Sequence, residues 1–141
     1  MKFLLLLVFV VLSGCSTTTV SSLTAIPVKP DSLFSNQTKD DMHNATLVVT
    51  RDSGFIGSGC SLTFFINGER AAKIDPGETA KFYVQSGSVI MGVGVEGRAL
   101  CGVNPYPKRE RETVIRQNET KWFRLFTDQD VNLDVLPTSL H

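Results

Sequence analysis

The chain of 141 residues has two histidines, His43 and His141, and three cysteines. His43 falls in a polar stretch and His141 at the C-terminus, both away from any cluster of ligand-type side chains, so no metal centre is expected. No histidine is placed centrally to serve as the base of a nucleophile, and no catalytic residue is expected. Charge of one sign is also missing: 14 basic residues balance 14 acidic ones, with no Lys or Arg stripe of the kind that tracks nucleic acid. Long apolar runs are absent. The longest, residues 3–12, falls short of the about 20 residues a helix needs to cross a bilayer. After it, no window carries the period of an amphipathic helix.

What that short run does have is flanking chemistry. Lys2 precedes it, and the small Ser13 and Gly14 follow, giving the order of a secretory signal. Leu12-Ser13-Gly14-Cys15 resembles the lipobox of bacterial lipoproteins. The resemblance implies that residues 1–14 are a cleaved signal peptide and that Cys15 carries diacylglycerol as the first mature residue. Two or three acyl chains, at about 0.8 kcal/mol per buried methylene, suffice for stable anchoring. Ser16 stands where Asp holds enterobacteria-like lipoproteins at the inner membrane. The resemblance therefore implies the outer membrane, with the domain facing the periplasm.

With Cys15 assigned to lipid, Cys60 and Cys101 form an even pair in an oxidising compartment and read as a disulfide. Two separately buried thiols are the alternative. A bridge closing that loop would stabilise the fold by about 4 kcal/mol in the chain-entropy model.

Residues 15–44 are rich in Ser, Thr, Asp, Asn and Lys, and are expected to form a flexible tether. Ile26, Val28, Leu33 and Phe34 give it the option of packing along the domain as an irregular arm. From residue 45 the apolar period becomes two. Leu47 and Val49, then Leu62, Phe64 and Ile66, mark one face of successive strands. Asn67-Gly68 suits a type I′ hairpin. Asp75-Pro76-Gly77-Glu78 is a second turn, in which Pro fixes φ and Gly supplies the left-handed position. Ala80, Phe82 and Val84 alternate next, then Val89, Met91, Val93 and Val95. Residues 97–107 are an irregular connector. Strands are expected again at residues 111–116, 120–126 and 131–135. The pattern predicts an all-β fold, a seven- or eight-stranded antiparallel β-sandwich over residues 45–141, with a partly closed barrel as the alternative.

The succession Phe65-Ile66-Asn67-Gly68-Glu69, Ile74-Asp75-Pro76-Gly77-Glu78, Phe82-Tyr83-Val84 and Ser86-Gly87 resembles small extracytoplasmic β-domains of the PEGA and DUF2846 type. Gln117 to Phe123 matches their closing turn and aromatic strand. The resemblance covers about half of the mature chain and implies no catalytic centre. The Cys60/Cys101 pair and the long connector depart from that pattern.

Several motifs invite a functional reading. Gly92-Val93-Gly94-Val95-Glu96-Gly97 satisfies the dinucleotide pattern G-x-G-x-x-G, but it begins inside a strand with no helix to follow. The glycine loop at residues 54–59 lacks the Lys-Ser/Thr of a P-loop, so no nucleotide is expected. Its Phe55 and Ile56, with Tyr106 in the connector, are candidate contact residues. Asp128-Gln129-Asp130-Val131-Asn132 opens like a calcium loop but lacks the required Gly and closing Glu, and reads as a turn. Lys108-Arg109-Glu110-Arg111-Glu112 alternates in sign and reads as a solvated strand edge.

These features together lead to the expectation of a membrane-anchored, non-catalytic periplasmic lipoprotein without cofactor, acting as a binding or structural accessory of an envelope protein partner. An inhibitor of a lysozyme-type hydrolase, using the loops at residues 54–59 or 97–107, is the alternative, and a cell-wall enzyme comes third. Replacing the anchor residue tests the first step: Cys15→Ser should accumulate as unprocessed precursor, and no labelled palmitate should enter it.

Overall fold

The structure, a computed structural model, describes residues 17–54, 59–97, 101 and 107–141. Residues 1–14, expected as a signal peptide, and Cys15, Phe55, Ile56 and Tyr106 lie outside the described residues. Within these bounds the chain is all-β, with nine strands in two facing sheets. They are β1 (Ile26–Pro27), β2 (Ala45–Arg51), β3 (Leu62–Ile66), β4 (Glu69–Ile74), β5 (Glu78–Val84), β6 (Gly87–Val95), β7 (Arg109–Ile115), β8 (Thr120–Thr127) and β9 (Leu133–Pro137). One sheet has the order β1-β5-β2-β8-β9 and the other β4-β3-β6-β7.

The expected eight strands of the domain are β2 to β9. The turns between them form where the chemistry predicts. Asn67 and Gly68 both take positive φ, 50° and 85°, as a type I′ hairpin requires. Gly77 at φ 77° closes the Asp75–Glu78 turn, and the Glu78 amide donates to the Asp75 carbonyl at 3.1 Å. This second turn carries the chain from β4 in one sheet to β5 in the other.

The antiparallel expectation needs one correction. β2 runs parallel to β8, with Thr46 opposite Thr120 and Arg51 opposite Leu125. Both strands start at the same end of the sandwich, where the Thr46 amide donates to the Glu119 carbonyl at 2.9 Å. Alternation reports which face a residue occupies and carries no information about the direction of a neighbouring strand. Parallel neighbours need a long crossover, and the strands from β3 to β7 provide it.

The core lies between the sheets. Leu47, Val49, Phe82, Val84 and Leu125 from one sheet meet Leu62, Phe64, Val89, Met91 and Val93 from the other. Phe64 and Phe82 meet across the interface with ring centroids 5.2 Å apart.

The segment expected as a tether takes its arm alternative from residue 17 onward. β1 pairs with the edge of β5, Val28 is buried, and Leu33 bridges to Ala72 after a short 3-10 turn, Pro30–Ser32. The Asn36 side-chain amide donates to the Tyr83 carbonyl at 3.0 Å. Most of these attachments are backbone hydrogen bonds, which a polar composition does not reveal. Phe64→Ala should lower the unfolding free energy by about 3–5 kcal/mol, read as a reduced urea midpoint at unchanged slope.

Candidate functional site

β2 ends in two charged residues, Arg51 and Asp52, and both are buried. They sit at the end of the sandwich from which the connections β2–β3, β4–β5, β6–β7 and β8–β9 leave. Arg51 points toward the opposite sheet and donates from Nη1 to the carbonyls of Cys60 and Ile74, each at 2.9 Å. Burial holds its guanidinium down to about 10, opposed by the nearby carboxylates of Asp75 and Glu78, so it stays charged at neutral pH. Asp75 in turn accepts from Ser61 Oγ at 2.6 Å, and its amide donates to Glu78 Oε2 at 2.8 Å.

Asp52 accepts from Arg124 of β8 through Nε at 3.1 Å and through Nη2. Burial pushes its carboxyl above the usual range, against the pull of Arg124. Thr17, the first described residue, closes on the same group: its Oγ1 lies 3.4 Å from Asp52 Oδ2 and donates to the Thr127 carbonyl at 3.0 Å. One residue on, Thr18 and Ser53 exchange backbone hydrogen bonds of 2.7 and 2.9 Å. The N-terminal segment is thus fastened to the ends of β2 and β8.

The Cys60–Cys101 disulfide lies at this end, with Cα atoms 5.7 Å apart. It ties the β2–β3 connection to the β6–β7 connection. Cys60 and Cys101 are therefore brought together as expected.

The other motifs are placed as follows. Gly92 and Gly94 lie within β6, not at a strand–helix junction. A Cβ at Gly92 would stand 3.2 Å from Phe65 Cβ, and Lys108 crosses both glycines to lie 4.7 Å above the Phe65 ring. These glycines make room for a packed outer surface. Residues 128–132 form the β8–β9 turn, in which the Asp128 carboxylate accepts from the amides of Asp130 and Asn132 and from Asn132 Nδ2. Those bonds, the Asn132 side chain first, hold its pKa below the usual value. Among the described residues, no group of three or more His, Cys, Asp or Glu side chains could hold a metal ion.

Glu110, Glu112 and Arg111 of β7 are partnered. Lys108 pairs with Glu110 at 2.9 Å, and Ser88 Oγ donates to Glu112. Arg111 forks onto Asp134 of β9 with 2.9 and 2.6 Å bonds, joining edge strands of opposite sheets.

Among the described residues, two of the grooves have largely apolar linings. One, about 520 Å³, lies between the sheets beside this fork, with Met91, Phe123 and Val135 at its base and Lys121 and Pro137 among its lining. The other, about 790 Å³, runs between the arm and the outer face of the five-stranded sheet, past Val28, Val48, Tyr83 and Trp122. Trp122 stacks on His141 there, centroids 4.3 Å apart. In the first groove Lys121 Nζ donates to the Val114 carbonyl at 2.6 Å and lies 3.4 Å from Thr113 Oγ1.

No protein-family model matches the chain, and no curated protein matches it. The functional argument therefore draws on the residues themselves.

The sequence reading missed Arg51, Asp52, Arg124 and Thr17. A signal was present: two adjacent charges directly terminate the strand Ala45–Arg51, whose other residues are apolar or Thr.

The Arg111–Asp134 fork has a pH signature. Arg111's hydrogen bonds hold the Asp134 carboxyl below its ordinary 3.8. A depressed folded-state pKa stabilises above the unfolded value, and that contribution disappears as pH falls through the folded one. Asp134→Asn should therefore lose less thermal stability than the parent between about pH 5 and pH 2. Added salt should shrink the difference, because Arg111 is exposed.

Proposed function

We propose that this chain is a lipid-anchored, non-catalytic lipoprotein of the cell envelope, attached through Cys15 to the outer membrane. In this reading the sandwich faces the periplasm as a binding or structural accessory of an envelope protein. The observation that carries the proposal is the sequence Leu12-Ser13-Gly14-Cys15 behind a short apolar leader. The Cys60–Cys101 bridge supports it, since such bonds persist in oxidising compartments outside the cytoplasm. The grooves support a binding role, since they offer apolar walls and an aromatic stack.

A second reading, inhibition of a lysozyme-type hydrolase, draws on the same bridge, which braces two loops in the manner of an inserted inhibitory loop. One pair of measurements separates the two. A photo-crosslinking residue at Tyr83, beside the larger groove, should capture an envelope protein in intact cells. Equimolar soluble domain should leave lysozyme activity unchanged. Stoichiometric lysozyme inhibition, or no captured partner from any position along the groove, overturns the accessory reading.

A further inference from the structure

A lipid anchor determines how a domain sits on a membrane only through the chain between the lipid and the fold. A free segment spanning residues 15–44 would wander over about 30 Å, leaving the domain to tumble away from the headgroups. The structure removes nearly all of that length. Thr17 is fastened by its hydroxyl to Asp52 and the Thr127 carbonyl, and Thr18 by two backbone bonds to Ser53. Only Ser16 separates Thr17 from Cys15, so the Cα atoms of residues 15 and 17 are at most about 7.6 Å apart.

We infer that the end of the sandwich formed by Thr17, Thr18, Ser53 and the turn at residues 128–132 is seated on the bilayer surface, with the strands standing away from the membrane. The inference rests on the acylation of Cys15 proposed above. Its occupant is the headgroup layer of the membrane that holds the acyl chains. A strand the length of β8, Thr120–Thr127, spans about 26 Å. The turns at residues 67–68, 85–86 and 116–119 therefore face outward by that distance. The Cys60–Cys101 disulfide lies on the membrane side. The grooves run along the flanks of the sandwich, where a protein partner has access.

The test uses the full lipidated chain in vesicles of phosphatidylethanolamine and phosphatidylglycerol, with nitroxide on a fraction of the headgroups. Trp122 is the sole tryptophan. In a Trp122→Phe background, Gln129→Trp reports the seated end and Gln85→Trp the opposite end. Seating predicts at least twofold greater quenching at residue 129 than at residue 85. A ten-residue Gly-Ser insertion after Ser16 should abolish the difference without releasing the protein from vesicles.

Hydrogen exchange on the unsubstituted chain gives an independent readout. Amides at residues 128–132 should exchange more slowly on vesicles than in the soluble domain, while residues 116–119 are unchanged. Protein that sediments with vesicles but quenches equally at both ends, or shows no protection at residues 128–132, keeps the anchor and overturns the seating. Protein that fails to sediment overturns both.

Discussion

A guanidinium enters a β-sandwich only where carbonyls and carboxylates replace the water it gives up. Arg51 meets that condition at the end of the sandwich where the chain passes from β4 to β5. Its two bonds reach the start of β3 and the end of β4, so a strand of one sheet holds the margin of the other. The Asp75–Glu78 turn supplies nearby negative charge and carries the chain between the layers. Asp52, the next residue, repeats the device laterally by holding Arg124 of the parallel strand and receiving Thr17. These two adjacent charges thus fasten both sheets and Thr17 at one end of the sandwich, while backbone hydrogen bonds hold the rest of the N-terminal segment.

Most of the fold was legible because local chemistry and long-range structure agree. Alternation in Leu47/Val49 and in Ala80/Phe82/Val84 identifies inward faces, and Asn67-Gly68 and Pro76-Gly77 locate the reversals. Strand direction was not legible. β2 and β8 are neighbours through backbone hydrogen bonds, and no side-chain pattern encodes that they run the same way. The arm was legible only in its apolar residues. Val28 is buried as its type suggests, but Ile26 stays exposed and is held by its amide on the Gly77 carbonyl.

The site was less legible than the fold. Pairing of Cys60 with Cys101 followed from counting and compartment. The role of Arg51 and Asp52 depends on which carbonyls and which cation come near them, and those lie far along the chain. The glycine pattern at residues 92–97 shows the converse. Its spacing suggested a ligand, whereas Phe65 and Lys108 from neighbouring strands occupy the space beside Gly92 and Gly94. Spacing in a strand is set by neighbours that a linear motif does not contain.

Proteins confined to a surface meet one another far more often than in free solution, and an unprotected strand margin invites polymerisation. Here β1 is two residues long and ends in Pro27, which has no amide hydrogen to offer, and β9 stops at Pro137. β7 presents alternating charge, and its Arg111 is clasped by Asp134. Three of the four sheet edges thus carry features that disfavour pairing with the sheet of another copy.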